Sequence, residues 1–326
     1  MCHALRSRVA AKRLGTNTDD LQAMRNFLDL IDLKTDDLLH LLSEAVRLKA
    51  GFKAGDRPPL LAGRVLGMIF EKQSLRTRVS FEAAMAQLGG RSIFLSATDG
   101  PIGQRETVPD FARTLSEYVD AVVLRVFSHQ TLEEFAAHSR IPVINGLSDL
   151  AHPCQALGDL LTIQEVFGSI KGRTVVFVGD GNNVARSLAL ACGKLGARFV
   201  LSAPEGYRFD DSFLQVFRRQ APQGELSQDG SPSHAVANAD VIYTDVWTSM
   251  GQEAEHERRL RHFAGYQVDA ALLAHAPKQA RLMHCLPAHR GEEVSAEAID
   301  GERSVVFQQA GNRMHAQKAV LVWLLT

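Results

Sequence analysis

An α/β fold of two similar doubly wound domains, each around a central parallel sheet, is predicted by three observations. Short apolar runs alternate with helix-patterned stretches along almost the whole chain. The alternation falls into two series, VLGMIF to PVINGL and RTVVFVGDGN to SVVFQQ, with a long helical pattern between them. Polar clusters follow the apolar runs, where parallel sheets collect their ligands. A length of 326 residues also suits two domains better than one core.

The elements follow in order. From Asn26, FLDLIDLKTDDLLHLLSEAVRLKA sets Leu38, Leu39, Leu41, Leu42 and Val46 at helical spacing, with Thr35 and two aspartates as the N-cap signal. VLGMIF is a strand, EKQSLRT a loop, and VSFEAAMAQLGG a helix with Ala83, Ala84 and Leu88 inward and a Gly-Gly stop. SIFLS, AVVLRV and PVINGL are strands separated by the helices PDFARTLSEY and LEEFAAHS. HPCQALGDLLTIQEVFG is the joining helix. The second series continues through SLALACGKLGA, RFVLSA, DVIYTDVW, RLMHCL and SVVFQQ to a final helix, AQKAVLVWLLT. The expected domains are 24–155, 156–311 and a returning C-terminal helix, 312–326.

Composition narrows the partners. With 22% charged residues and a net charge of -1, no single-sign field argues for nucleic acid or an anionic membrane surface. No apolar run approaches the ~20 residues of a membrane span. Cys2, Cys154, Cys192 and Cys285 are far apart without a Cys-x-x-Cys pair, which suits a reducing compartment and argues against a disulfide framework or structural zinc. No metal and no cofactor are expected. Residues 1–23 are basic up to Lys12 and lack an apolar face, so a disordered extension, or a start at Met24, is expected. The location is then cytoplasmic; a transit peptide and the mitochondrial matrix are the alternative.

Chemistry concentrates behind the strands. SLRTR offers the hydroxyls of Ser74 and Thr77, the planar fork of Arg76 and a helix N-terminus, a combination suited to phosphate. Arg78, one turn into the helix, is expected to be a support. Arg125 interrupts an apolar strand and needs an anionic or carbonyl partner. In HPCQ, Pro153 starts the helix and leaves His152 to donate to a developing oxyanion and Gln155 to bond an NH2 or a carbonyl. VVFVGDGNNVARS carries Gly179 and Gly181, but Val184 stands at the third glycine position of a dinucleotide turn and RFVLSA ends without an acid for a ribose. A nicotinamide-dependent dehydrogenase or a non-catalytic anion-binding protein therefore stand only as alternatives. Asn182 and Asn183 remain polar groups at a strand end. Asp245 could hold a substrate ammonium, with Ser249 and the Met250 backbone adding hydrogen bonds. His284 and Cys285 point to opposite faces of a strand, against a Cys–His nucleophile pair. The Leu286–Pro287 bond is a candidate cis peptide.

Together these motifs resemble the aspartate/ornithine carbamoyltransferase family, from about Met24 to Thr326. SLRTR is similar to its Ser-Thr-Arg-Thr-Arg signature and HPCQ to its His-Pro-x-Gln, while GDGNN, DVWTSMGQE and MHCLP look like the ornithine branch. The resemblance implies carbamoyl transfer from carbamoyl phosphate to L-ornithine, with N-acylated ornithine or putrescine as alternative acceptors. It implies that Ser74, Leu75 through its backbone, Arg76 and Thr77 hold the phosphate, and that Arg313, in GNRMHAQ, reaches the same ligand. Arg125, His152 and Thr77 would polarise the carbonyl; Gln155 and the Leu286 carbonyl would fix the NH2. Asn183, Asp245, Ser249 and Met250 would bind ornithine, with Asp245 and Cys285 near the attacking amine and Cys285 bordering both substrates. Leu75 departs from the usual threonine. A homotrimer, or a larger assembly of trimers, is also implied, with GPIGQRET (100–107) as the loop a neighbour would contribute.

Overall fold

The computed structural model describes residues 25–96, 98–99, 102–248 and 253–326. Residues 1–23, Met24, Gly100, Pro101, Ser249 and Met250 lie outside the described residues. The first unit runs α1 (Thr35–Lys53), β1 (Val65–Phe70), α2 (Leu75–Gln87), β2 (Arg91–Ser96), α3 (Val108–Leu115), β3 (Ala121–Arg125), α4 (His129–His138) and β4 (Val143–Leu147). α5 (Pro153–Phe167) leads into β5 (Thr174–Val178), α6 (Asn183–Lys194), β6 (Arg198–Ser202), α7 (Asp211–Gln220) and β7 (Glu225–Asp229). The chain ends with α8 (Pro232–Ala235), β8 (Val241–Thr244), α9 (His256–His262), α10 (Ala270–Ala274), β9 (Arg281–His284), α11 (Ala296–Asp300) and α12 (Val306–Leu325).

Both sheets are parallel throughout, in the orders β2-β1-β3-β4 and β7-β6-β5-β8-β9. Their inner strands β1, β3, β5 and β8 are apolar and buried, as a sheet covered on both faces requires. Strand order reverses between β1 and β3 in one sheet and between β5 and β8 in the other. Crevices at such switch points, outside the strand carboxyl ends, are where this architecture takes its ligands. The two switch points carry SLRTR and Arg125 on one side, and GDGNN and Asp245 on the other.

α5 sits between the units and is buried continuously from Pro153 to Ile163. It packs against α12, which returns from the far end of the chain. Gly158 permits this approach: a Cβ there would lie 3.2–3.3 Å from Arg313 side-chain and backbone carbons. β4 carries an irregularity, because Leu124 pairs with Asn145 but Arg125 with Leu147. Gly146 is the extra residue, and a Cβ on it would stand 3.0 Å from Val123 Cγ1. Such a bulge re-aims the neighbouring side chains, here at Arg125.

Three local expectations change. α1 is capped at Lys34, whose N–H donates to Asp37 Oδ2 at 3.3 Å, and Thr35 is already helical. Leu39 and Val46 are exposed; Leu38, Leu41, Leu42, Ala45 and Leu48 form the buried face. SVVFQQ does not continue the strand series. Ser304 bridges Leu282, and α12 starts at Val306, ahead of the division drawn at residue 312. Among the described residues, no helix is long and apolar enough to cross a membrane.

Candidate active site

The strand ends of the two sheets border one cavity of about 930 Å³. Ser74 caps α2, its Oγ accepting the Thr77 N–H at 3.3 Å and donating to Thr77 Oγ1 at 3.0 Å. Thr77 Oγ1 also accepts from Arg313 Nη2 at 2.9 Å, a bond across 236 residues of sequence. The first N–H groups of a helix lack intrahelical partners, so this corner is a ready anion seat. Leu75, which borders the cavity, is 74% exposed. Arg78 turns the other way, pairing with Glu82 at 3.0 Å and stacking 3.9 Å over Phe94.

Three guanidiniums meet here. Arg125 and Arg313 are buried and Arg76 lines the same cavity. Among the described residues, neither Arg76 nor Arg125 has a side-chain hydrogen bond or ion pair, and Arg313 has only Thr77. Burial, then the nearby Arg313 and Arg76 charges, pull Arg125 down to about 10. Burial also lowers Arg313 and Arg76. His152 caps α5 with its backbone N–H on Ser187 Oγ at 2.9 Å. Burial, then Arg313 and Arg125, hold its imidazole well below the usual histidine range, so it is a neutral hydrogen-bond donor. Arg125 Nε, His152 Nδ1, Gln155 Oε1 and Arg313 Nε are all buried without partners.

Holding like charges together in a desolvated corner costs stability, and an anion relieves it. Saturating inorganic phosphate is therefore expected to raise Tm by several degrees, from about 2.7 kcal/mol of linkage at a hundredfold excess over Kd. Differential scanning calorimetry against chloride at equal ionic strength measures this. Equal shifts for the two salts would contradict a specific seat.

The opposite wall centres on a carboxylate. Asp245, just past β8, accepts from Asn182 Nδ2 at 2.9 Å, from the Cys285 thiol at 2.9 Å and from the Val246 N–H at 2.8 Å. Burial, then Asp245, raise the Cys285 thiol well above its ordinary value, so it donates as S–H. His284 lies on the other side and bonds Glu293 at 2.9 Å, which disposes of a Cys–His nucleophile. The Leu286–Pro287 peptide is cis, and Leu286 lies at φ 56°. Asn183 borders the cavity while its Nδ2 donates to the Ser148 carbonyl at 2.6 Å, tying the two units together.

Asn182 belongs to this wall although its neighbour Asn183 was the expected contact. Its Oδ1 caps α6 through the Val184 and Ala185 N–H groups, each at 3.0 Å, leaving the amide for Asp245. An Asx residue directly before a helix was the available signal. The dinucleotide alternative loses its geometric basis. Gly181 donates its N–H to the Tyr207 carbonyl at 2.8 Å, and a Cβ there would stand 3.0–3.2 Å from Phe209 and the 207–208 backbone. That glycine serves protein packing. Asp245, His284 and Cys285 cluster closely enough to suggest metal ligands. Their donor atoms are engaged with Asn182, Leu286, Glu293 and one another, so hydrogen bonding accounts for the cluster.

Two family models match successive parts of the chain. Residues 25–165 match the family model described as aspartate/ornithine carbamoyltransferase, carbamoyl-P binding domain, and residues 171–324 match its Asp/Orn binding domain. The chain is 52% identical to an ornithine carbamoyltransferase of Bacillus subtilis, covering 92% of this chain and 94% of the relative. It is 50% identical to one from Anoxybacillus flavithermus, covering 92% and 96%. The solved ornithine carbamoyltransferase of Pyrococcus furiosus superposes with a TM-score of 0.89 at 51% identity, covering 92% of this chain and 96% of that one.

Proposed function

The chain belongs to the aspartate/ornithine carbamoyltransferase family, and from that premise we propose how its cleft performs carbamoyl transfer. The activity is transfer of the carbamoyl group of carbamoyl phosphate to the δ-amine of L-ornithine, giving L-citrulline and phosphate. One observation supports the residue roles above all. A cluster of three guanidiniums without an ion pair among the described residues (Arg76, Arg125, Arg313) faces a carboxylate–thiol pair (Asp245, Cys285) across a single cavity.

The phosphate sits on Ser74, Thr77, Arg76, Arg313 and the Leu75 backbone. Arg125, His152 and Thr77 donate to the carbamoyl oxygen, while Gln155 Oε1 and the Leu286 carbonyl accept from its NH2. Cys285 borders this group from the ornithine side. Asp245 and Asn183, with Ser249 and Met250 from outside the described residues, hold ornithine. The δ-ammonium first loses a proton, because the protonated form has no lone pair. The neutral nitrogen then attacks the carbamoyl carbon, and the C=O electron pair moves to oxygen under Arg125 and His152. That oxyanion collapses as the C–O bond to phosphate breaks; the phosphate leaves with the electron pair and takes the second proton of the attacking nitrogen, leaving the neutral amide N–H of citrulline. Orientation and fixed donors supply the catalysis, without a covalent enzyme intermediate.

Leu75, exposed at the border of the cavity, leaves the backbone contact intact. Citrulline formation assayed with L-ornithine, N-acetylornithine and putrescine in parallel tests the assignment, with only L-ornithine expected to turn over efficiently. Comparable turnover of either alternative would overturn it. A homotrimer is part of the same proposal. It is supported by the exposed apolar groups Leu75 and Val79 on α2 and Ile93 on the edge strand β2. Residues 102–107 of the 100–107 segment are described, and Gly103 to Thr107 are exposed, as a loop offered to a neighbour requires.

A further inference from the structure

Behind the two carbonyl groups assigned to the carbamoyl NH2 runs an unbroken chain of buried hydrogen bonds. Gln155 Nε2 donates to Asp159 Oδ1 at 2.8 Å. The same oxygen accepts from Gln309 Nε2 at 2.7 Å, and Asp159 Oδ2 accepts from the Tyr243 hydroxyl at 3.1 Å. Gln309 Oε1 takes the His284 N–H at 2.8 Å, and His284 Nδ1 takes the Leu286 N–H at 2.9 Å. The chain thus begins at Gln155 on α5 and ends at Leu286 after β9, passing through α12. Asp159, Gln309 and Tyr243 are fully buried, and Gln155 and His284 are each 1% exposed.

The polarity of this chain is determined by its hub. A carboxylate only accepts hydrogen bonds, so Gln155 must present its NH2 to Asp159. That leaves Gln155 Oε1, which has no partner, as the atom available to a ligand in the cavity it lines. The Gln309 amide is fixed the same way, NH2 toward Asp159 and carbonyl toward His284. With no acceptor-only group at position 159, the Gln155 amide could turn over and set NH2 against NH2.

We propose that Asp159 is a positioning residue whose hydrogen-bonded chain fixes the acceptor direction of Gln155 and registers it with the Leu286 peptide, so that the site selects a carbamoyl NH2. The inference rests on the assignment of Gln155 to that NH2. Burial raises the Asp159 carboxyl to about 7, against its three donors and Arg313, so the acceptor-only form prevails well above neutrality.

Acetyl phosphate provides the probe, since it replaces the carbamoyl NH2 by a methyl group and keeps the phosphate. Its Kd divided by that of carbamoyl phosphate, measured by calorimetry at about pH 8.5, reports NH2 recognition separately from phosphate binding. In the unaltered enzyme this ratio is expected to be on the order of 10². Asp159→Asn is expected to lower it about tenfold, one charge-assisted hydrogen bond's worth of discrimination. A parallel weakening of both ligands, with the ratio intact, would mark Asp159 as merely structural and overturn the proposal. Gln155→Ala separates the two levels. An unchanged ratio there means Gln155 does not receive the NH2 at all. A lowered ratio there beside an intact one in Asp159→Asn defeats the positioning role alone. Should Asp159→Asn fail to fold, Gln309→Leu cuts the chain one link further on. It is expected to lower the ratio about threefold, from loss of about one neutral hydrogen bond, and an unchanged ratio overturns the link.

Discussion

Arg125→Ala is expected to lower kcat by about 10²–10³-fold, the typical worth of one preorganised oxyanion donor, ~3–4 kcal/mol. The expectation follows from three features of one side chain. The β4 bulge at Gly146 re-aims the strand pairing at Arg125. The guanidinium is 5% exposed and unpaired, so its charge acts through a desolvated medium. The proposed mechanism gives Arg76 and Arg313 to the phosphate, which leaves Arg125 for the carbonyl oxygen beside His152. Because Arg125 has no partner among the described residues, truncation strands no buried acceptor among them. Removing one of three mutually repelling charges should leave Tm unchanged or higher, the opposite of an ordinary core deletion. Arg125→Lys should recover only part of the rate, since an ammonium lacks the planar fork. Single-turnover kinetics with a thermal melt on each variant decides the matter. A near-wild-type kcat removes Arg125 from the mechanism, and a collapsed Tm reassigns it to structure.

The parts of this fold that could be read from sequence are those encoded within a few residues. Apolar runs such as VLGMIF and TVVFV announced buried parallel strands because no polar face interrupts them. HPCQ announced a helix start through Pro153, and α5 begins there, whereas α2 begins at Leu75, inside the stretch EKQSLRT read as a loop. β7, ELSQD, was missed because a half-buried edge strand needs no apolar alternation. SVVFQQ misled because its valines suit a strand locally, whereas packing α12 against α5 and α1 starts a helix at Val306. Asp159 illustrates the deeper limit. In ALGDLL it reads as one polar position on a helix, and its acceptor role appears only when Gln309, 150 residues later, folds over it. Arg313 was found through family resemblance, since its bond to Thr77 leaves no trace in local pattern.

Asp245→Asn is expected to reduce kcat/KM for ornithine by about 10²–10³-fold while leaving the Kd for carbamoyl phosphate within about threefold. A charge-assisted hydrogen bond contributes ~1.5–3 kcal/mol, and an ammonium facing an amide instead of a carboxylate loses that term. The present carboxylate already accepts from Asn182 and from the Cys285 thiol. An asparagine cannot satisfy both with its single oxygen, so one of two donors loses its acceptor and the amine seat is displaced as well as neutralised. The two effects fall on the same substrate, which raises the expected loss above that of a lone hydrogen bond. Carbamoyl phosphate is spared because its cationic seat lies on the α2 and β3 side of the cavity, where Asp245 makes no hydrogen bond. Calorimetry for carbamoyl phosphate beside steady-state kinetics for ornithine distinguishes this from general damage. Equal losses for both substrates would show that Asp245 supports the whole cleft rather than the amine. An unaltered kcat/KM would show that the ammonium binds elsewhere.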